Sequence, residues 1–357
     1  MTAALCGLLL AGAAGPAAAA PVPLAPTAPH SHLTLAVAAR VPPGARAPLT
    51  GHVTPGHAGR RLQLQVEVAG RWQRVATARV SRRSTYTFHR TYRTAGAVET
   101  LRVVLPAHRD HRVGISRART VRTVAPGFDV SYPQCGAVLP AGAPFTLIGV
   151  DGGKPFDVNG CLAQQIAWAL PTGAPAYYVN TANPGPQLSS FWPSGQASPR
   201  ACAATYPAND STACAFDYGW NAAASSYARA SAAAASVGAP AVSLSTWWLD
   251  VELRNTWEAE QPGAAPRHLR HDLAVLQGMS AYLKGQGVRT VGVYSTGHQW
   301  DVVTGGARWS SAPVWYAGVG SPTSALAHCA VSFTGGPVRM AQYASRAPAG
   351  LDADHRC

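Results

Sequence analysis

The chain has 357 residues, of which 47% are hydrophobic, and this excludes a globally disordered protein. The length favours two domains, since one domain usually has about 100–200 residues. The net charge of +13 is confined to one segment: residues 30–125 hold 17 Arg and three acidic residues, whereas residues 126–357 have a balance of −1. We therefore expect a basic domain followed by a near-neutral one.

The N-terminal segment is typical of a signal peptide. The run from Leu5 to Ala20 is apolar but too short to span a bilayer comfortably, and Ala18–Ala20 offer a cleavage site, although no basic residue precedes the run. We assign residues 1–20 to the signal peptide and the Pro- and Ala-containing residues 21–31 to a linker. A buried N-terminal helix is the alternative. We expect a secreted protein, extracellular or cell-wall associated, with no transmembrane anchor after signal cleavage.

Residues 32–124 have the pattern of an all-β domain. Alternation in Leu62-Gln-Leu-Gln-Val-Glu-Val and the apolar run Leu33-Thr-Leu-Ala-Val indicate strands, and Pro42-Pro43-Gly44 is typical of the turns between them. About seven short strands in this length predict a small β-sandwich.

This segment resembles the immunoglobulin-like modules of secreted actinobacterial proteins, at the level of the fold. The resemblance depends on Gly51-His-Val-Thr-Pro, Gly70-Arg-Trp-Gln-Arg-Val, Tyr86-Thr-Phe and Leu101-Arg-Val. The Arg excess makes anionic wall polymers candidate partners of residues 30–125. A solvated basic face is the alternative, and for an exported protein we expect no nucleic-acid partner.

From Gly127 onward, strand-like and helix-like segments alternate, which favours an α/β fold with parallel strands. We assign residues 126–357 to a TIM-type (β/α) barrel, because such barrels have about 200–250 residues. A doubly wound sheet is the alternative, but no Gly-rich phosphate loop follows a predicted strand. The predicted strands are Gly127–Ser131, Phe145–Val150, Ala176–Asn180, Thr246–Glu252, Thr290–Tyr294, Val314–Ala317 and Val338–Tyr343. The predicted helices are Ala163–Leu170, Tyr218–Val237, His268–Gly285 and Gln299–Val303.

Six cysteines follow the signal peptide, all of them in the second domain. An even number in an exported chain favours disulfides, and the absence of CxxC spacing argues against structural zinc. Six cysteines allow 15 pairings. Pairing of sequence neighbours would join Cys135 to Cys161, Cys202 to Cys214 and Cys329 to Cys357.

The segment Ser245-Thr-Trp-Trp-Leu-Asp-Val-Glu ends a predicted strand with two carboxylates. Asp250 and Glu252 share one face of that strand, and in a TIM barrel the carboxyl ends of the strands carry the chemistry. Close carboxylates repel, so that one of them holds its proton near neutral pH. This pair would supply the acid and the base that glycosidic bond cleavage needs. A solvated pair at a strand–loop junction is the alternative.

Further acidic and aromatic residues mark other strand ends. Asp129 lies inside the first predicted strand of the barrel, and Asp151 follows the second. Aromatic rings stack on the apolar faces of sugars, which makes the rings at strand ends candidate substrate contacts. The candidate substrate-binding residues are Asp151, Tyr178, Tyr294, Trp315, Gln342 and Tyr343.

These motifs resemble those of glycoside hydrolase family 25, the muramidases that cut peptidoglycan between N-acetylmuramic acid and N-acetylglucosamine. The family opens its barrel with Gly-[Ile/Phe]-Asp-Val-Ser and carries Asp-x-Glu at the end of the fourth strand. The matching segments, in the same order over about 230 residues, are Gly127–Ser131, Asp250–Glu252, Tyr294-Ser295, Val314–Ala317 and Gln342-Tyr343 with Leu351–Asp354. The chain is most similar to a secreted actinobacterial branch of this fold.

The resemblance implies hydrolysis of β-1,4 bonds in peptidoglycan or a related amino-sugar polymer, without metal or organic cofactor. It implies that Glu252 protonates the leaving oxygen and that Asp250 orients the acetamido group of the substrate. Asp129 and Asp352 would shape the sugar site and tune the pair.

Departures from the family pattern leave a second hypothesis open. Asp151 is followed by two glycines, Tyr178-Val179-Asn180 stands where Tyr-His-Phe is common, and residues 183–215 are a long insertion. A non-catalytic protein that binds cell-wall glycans on the same barrel is therefore the alternative.

Overall fold

The computed structural model describes residues 30–108, 111–344 and 350–357. The predicted signal peptide and nearly all of the predicted linker lie outside these ranges. The last two linker residues belong to the first domain, since His30 forms a β-bridge with Arg112 and the Ser31 hydroxyl bonds to the His57 ring at 2.9 Å.

The first domain consists of two β-sheets. One sheet has the order β1–β3–β6, the other has the order β2–β9–β7–β4–β5, and β8 pairs with β7. Its strands are β1 (His32–Leu33), β2 (Arg40–Val41), β3 (Arg46–Thr54), β4 (Arg61–Val68), β5 (Arg71–Arg79), β6 (Thr85–Thr91), β7 (Val98–Leu105), β8 (Gly114–Ile115) and β9 (Arg119–Thr123).

Buried and exposed side chains alternate along these strands, and the buried ones form the core between the two sheets. Leu62 and Leu64 of β4 are buried, as are Leu49 of β3 and Phe88 of β6, and all four belong to one cluster of apolar side chains. The polar residues between them face outward because successive side chains point to opposite faces of a strand. The expected all-β sandwich arrangement is present.

The second domain contains a closed barrel of eight strands, arranged in chain order. The first seven run parallel to their neighbours, and the eighth is antiparallel to both strands that it joins. The strands are β10 (Gly127–Val130), β11 (Thr146–Gly149), β12 (Ala176–Asn180), β13 (Trp247–Asp250), β14 (Val291–Ser295), β15 (Val314–Val319), β16 (Val338–Tyr343) and β17 (Asp352–Arg356).

Five α-helices connect the strands from β11 to β16. They are α1 (Leu162–Ala169), α2 (Thr212–Ser236), α3 (Pro266–Gly285), α4 (Gly297–Thr304) and α5 (Pro322–His328). The seven predicted strands and four predicted helices overlap observed elements, but β17 and α5 are absent from the prediction. Among the described residues the barrel therefore has five βα units and an antiparallel closing strand, and not a uniform βα repeat. No helix in these ranges is long and apolar enough to cross a membrane.

Side-chain alternation separates the inside of the barrel from its outer layer. On β13, Trp247 is directed toward the helices, where its ring lies 5.7 Å from that of Tyr227. Trp248 instead joins Leu147, Trp315 and other apolar side chains in a separate cluster. The aromatic and aliphatic residues of this inner cluster fill the interior of the barrel.

Three disulfides clip the second domain. They join Cys135 to Cys161, Cys202 to Cys214 and Cys329 to Cys357, which confirms pairing between sequence neighbours. The third bond connects the residue after α5 to the residue after β17, and so holds the closing strand of the barrel.

Removing the third disulfide should destabilise the barrel. The double variant Cys329→Ser/Cys357→Ser should lose roughly 2–4 kcal/mol of unfolding free energy, because the unfolded chain regains the freedom that the bond removes. Urea unfolding of the wild type and the variant measures this loss, and mass spectrometry of the wild type should detect no free thiol at these positions. A free thiol there, or equal stability of the two proteins, would show that the Cys329–Cys357 bond does not stabilise the barrel.

Candidate active site at the carboxyl end of the barrel

Carboxylates from three strands meet at one end of the barrel. Asp129 lies one residue before the end of the parallel strand β10, Asp250 ends the parallel strand β13, and Asp352 begins the antiparallel strand β17. Pairing places Asp129 opposite Asp352, while Asp354 lies opposite Gln342. The closing strand thus adds two carboxyl groups to the ends of the parallel strands.

A chain of hydrogen bonds orders the inner part of this site. The Tyr294 hydroxyl donates to Gln342 Oε1 at 2.7 Å, and Gln342 Nε2 donates to Asp129 Oδ2 at 3.1 Å. Nearby, the indole N–H of Trp315 donates to Asp354 Oδ1 at 2.7 Å. The orientation of each side chain is therefore set by a residue from a different strand.

Burial and mutual repulsion favour the protonated form of these carboxyls. The pKa of Asp129 is raised to about 7, first by burial and then by the charge of Asp352. The pKa of Asp354 is raised well above its usual range by burial and by Asp129. Because like charges this close cannot all ionise easily, the cluster retains protons near neutral pH.

Asp250 is the more deeply buried residue of the pair Asp250 and Glu252, with 4% of its surface exposed. Asn180 Nδ2 donates to its Oδ2 atom at 2.9 Å. Its Oδ1 atom is buried and has no hydrogen-bond partner in the described part of the chain. Burial, followed by the charges of Glu252 and Asp129, raises the pKa of Asp250 well above its usual range.

Glu252 lies two residues beyond the end of β13 and is only partly buried. Its backbone is fixed on both sides: the Trp257 indole donates to the Glu252 carbonyl at 2.9 Å, and Leu253 N–H donates to Gln299 at 2.8 Å. Burial raises the pKa of Glu252, the charge of Arg254 opposes this change, and Asp352 adds to it. Glu252 and the partly buried Asp352 are the carboxyls of the cluster that solvent reaches.

The predicted aromatic contacts fall in different environments. Tyr178 and Tyr294 point into the barrel, and the Tyr178 hydroxyl donates to the Val130 carbonyl at 3.2 Å. Trp315 is 1% exposed and serves as packing inside the barrel. Tyr343 belongs to the outer apolar layer, where its ring lies 5.0 Å from that of His355. The structure therefore does not bring Trp315 and Tyr343 to an accessible sugar-binding surface.

Asp151 also differs from the expected substrate contact. It is 1% exposed; its oxygens accept bonds from the Ser226 hydroxyl at 2.8 Å and the Asn180 N–H at 3.2 Å. Arg229 lies 3.6 Å from the same carboxyl group. Asp151 therefore ties helix α2 to the strand end that carries Asn180, and its charge adds to the rise in the pKa of Asp250.

Asn180 and Asp354 belong to the site, although neither is among the predicted site residues. Asn180 ends β12, next to Asp250 on the neighbouring strand, and Asp354 shares a strand face with Asp352. The spacing of two residues between Asp352 and Asp354 is the available signal, since it places both on one face of a strand.

A second polar cluster holds the loops above the barrel. Asp210, Glu258 and His268 each offer one potential metal ligand, and these atoms lie within 4.8 Å of one another. However, the His271 ring already lies 3.0 Å from Glu258 Oε2, and the His268 ring accepts the Ala265 N–H at 3.1 Å. The His271 ring also lies 3.4 Å from Asp210, and Asn183 Nδ2 donates to Glu258 Oε2 at 3.1 Å. These contacts anchor the 183–215 insertion.

Comparison with known proteins assigns no family. No protein-family model and no curated protein matches the chain. Among solved structures, it is similar to a tetra-tandem repeat in the extending region of a large adhesion protein, with 15% identity and a TM-score of 0.22 over 29% of this chain. A CARDB domain from Pyrococcus furiosus, in complex with di-metal ions, has 13% identity and a TM-score of 0.19.

These two structural matches carry no argument about function. The matched region spans 26% of the adhesion protein chain. For the CARDB domain, the matched region spans 27% of this chain and 93% of that chain.

Proposed function

We propose that this protein is a secreted glycoside hydrolase that cleaves β-1,4 bonds of peptidoglycan or a related amino-sugar polymer. The observation that carries the proposal is the pair Asp250 and Glu252, which lies at one end of the barrel with both pKa values raised. In this proposal the barrel is a variant of the TIM-type (β/α) architecture, in which active sites occupy the carboxyl ends of the strands. The ordered motifs shared with glycoside hydrolase family 25 support the same assignment.

The two carboxyls differ in accessibility, and this difference supports distinct roles. Glu252 is partly exposed and has a raised pKa, so its protonated form persists to higher pH than that of an ordinary glutamate and can donate its proton to the leaving oxygen. Asp250 is held by Asn180 and has a free Oδ1 atom within the described chain. That oxygen can orient the acetamido group of the substrate if the reaction retains configuration with assistance from the substrate.

The neighbouring residues act on this pair through their charges and hydrogen bonds. Asp129 and Asp352 add negative charge that raises the pKa of Asp250 and of Glu252, respectively. Gln342 donates a hydrogen bond to Asp129 and is itself held by the hydroxyl of Tyr294. In this proposal the neighbouring carboxylates favour the protonated form of the acid.

Cell-wall glycan is a substrate outside the cytoplasm, and the three disulfides fit an exported protein because such bonds persist in oxidising compartments. Peptidoglycan is accordingly the proposed partner, and the protein acts as an extracellular or wall-associated enzyme.

A non-catalytic protein that binds wall glycans is the second candidate. The observation that favours it is the depth of Asp250, since a group with 4% exposure contacts a substrate only if the site opens. In this case the same residues would bind a sugar without cleaving it.

Incubation of the purified protein with peptidoglycan tests both candidates. New reducing ends, identified by borohydride reduction and mass spectrometry of the released fragments, would support hydrolysis and reveal which sugar carries the cut. Co-sedimentation that persists at high salt, without new reducing ends, would favour the binding protein, because high salt suppresses the charge-driven association of the basic domain. Absence of both would contradict the proposal and its alternative.

Binding of anionic wall polymers by the basic domain is a further prediction. Association of the full-length protein with walls should weaken steeply as salt rises, because exposed charges are screened over about 8 Å at physiological ionic strength. Co-sedimentation with walls that contain or lack teichoic acids, across a salt series, measures this effect. The matched variant Arg61→Gln/Arg74→Gln removes two exposed charges from neighbouring strands and should bind more weakly. If association with walls does not change with salt concentration, the Arg residues of the first domain do not bind anionic wall polymers through their charge.

A further inference from the structure

A cavity of about 880 Å³ opens at the end of the barrel opposite the carboxylate cluster. Its wall includes the first residues of three strands, namely Thr146, Ala176 and Val291. Since the carboxylates lie where the parallel strands end, the cavity and the candidate active site occupy different faces of the barrel. The volume falls in the range of about 300–1,000 Å³ that is usual for small-molecule sites.

The wall of this cavity is cationic. It includes Lys284, Arg289, Arg339 and Arg356, which are four of the twelve basic residues of 126–357, and it includes no Asp or Glu side chain. None of the four makes an ion pair in the described part of the chain. The barrel therefore separates its charges, with acids at one end and uncompensated bases at the other.

The floor of the cavity is apolar and aromatic. Phe145, Trp248 and Met340 line it, and each of them is at least 90% buried. The Arg356 guanidinium lies 4.2 Å from the centre of the Phe145 ring, a cation–π contact that holds the charge over the floor. The indole N–H of Trp248 is buried and has no hydrogen-bond partner among the described residues. The cavity thus combines unpaired cations with a surface suited to an uncharged organic group.

We infer that this cavity binds a phosphate ester, with the phosphate at the arginine side chains and the organic part against Phe145 and Trp248. Guanidinium groups match the geometry and charge of phosphate oxygens, and charge-assisted hydrogen bonds of this kind are stronger than neutral ones. The wall contains no Asp or Glu side chain that would compete with a bound phosphate for these bases. The same chemistry is present in a free phosphorylated sugar or alcohol and in the repeat unit of a phosphodiester wall polymer.

Calorimetric titration of the full-length protein with glycerol 3-phosphate and glucose 1-phosphate tests the inference. We expect saturable binding of at least one ester, and binding about tenfold weaker or worse in Arg289→Gln/Arg339→Gln, which removes two charged contacts. Both positions are exposed, and their side chains make no hydrogen bond or ion pair within the described residues, so the fold should persist. The variant Arg61→Gln/Arg74→Gln removes the same charge from the first domain and should bind like the wild type.

Two further arms identify the source of the ligand and limit the inference. If walls with teichoic acid bind the wild type more strongly than stripped walls, and the Arg289→Gln/Arg339→Gln variant loses more of this difference than Arg61→Gln/Arg74→Gln does, the ligand is the polymer repeat. Ester binding without such a difference assigns a free metabolite. No saturable ester binding, equal weakening in both double variants, or acetate binding as tight as the esters would overturn the inference.

Discussion

Replacement of Glu252 by Gln should lower the rate of wall hydrolysis about 10²–10⁴-fold, the usual contribution of general acid catalysis. Gln has nearly the same shape but carries no proton that it can give to a leaving oxygen. The Glu252 carboxyl makes no side-chain hydrogen bond in the described chain, so the variant should fold and unfold like the wild type. Release of reducing ends from peptidoglycan measures the rate, and thermal unfolding provides the stability control.

Glu260→Gln is the matched control because Glu260 belongs to the same connection and is exposed. It should keep the wild-type rate. Activity of the wild type should also fall as pH rises through the raised pKa of Glu252, since the ionised form cannot act as the acid. Full activity in Glu252→Gln would show that another group protonates the leaving oxygen.

The barrel could be predicted from the sequence because its parallel strands are short apolar runs. Asp129 and Asp250 could be placed for the same reason, since each interrupts or ends such a run. The closing strand β17 could not be predicted, because its sequence Asp352-Ala-Asp-His-Arg contains few apolar residues. It is a strand through pairing with both neighbours, and Asp354 and His355 are fully buried there. Tertiary pairing overrides local pattern in this element.

The accessibility of the predicted sugar contacts could not be obtained from sequence either. Trp315 and Tyr343 both lie in barrel strands, but one fills the interior and the other packs under the outer layer. Asp151 follows a strand end as predicted, yet a residue 75 positions away, Ser226, occupies its oxygen. The partners of these side chains depend on how the helices pack against the barrel. The periodicity of apolar residues and the spacing of motifs in the sequence do not determine that packing.

The unfolding free energy should decrease as pH rises from about 4 to about 7, and Asp151 provides a defined contribution. Burial raises the pKa of this carboxyl to about 7, although Ser226, Arg229 and the Asn180 N–H favour the charged form. In the unfolded chain it ionises near pH 3.9. The folded state therefore binds one more proton between these values, and the stabilisation, complete below about pH 4, is lost as pH rises through 7. A shift of about three units corresponds to roughly 4 kcal/mol.

Asp151→Asn isolates this contribution, because the amide resembles the protonated carboxyl. It can donate to the Ser226 hydroxyl, which is free to act as acceptor, and its oxygen can still accept the Asn180 N–H. Urea unfolding at pH 5 and pH 8 should give a smaller stability difference for the variant than for the wild type. Asp301→Asn, an exposed substitution on α4, should retain the wild-type difference. If Asp151→Asn leaves the difference unchanged, or if the wild type is more stable at pH 8, the carboxyl is ionised in the folded protein and Arg229 outweighs its burial.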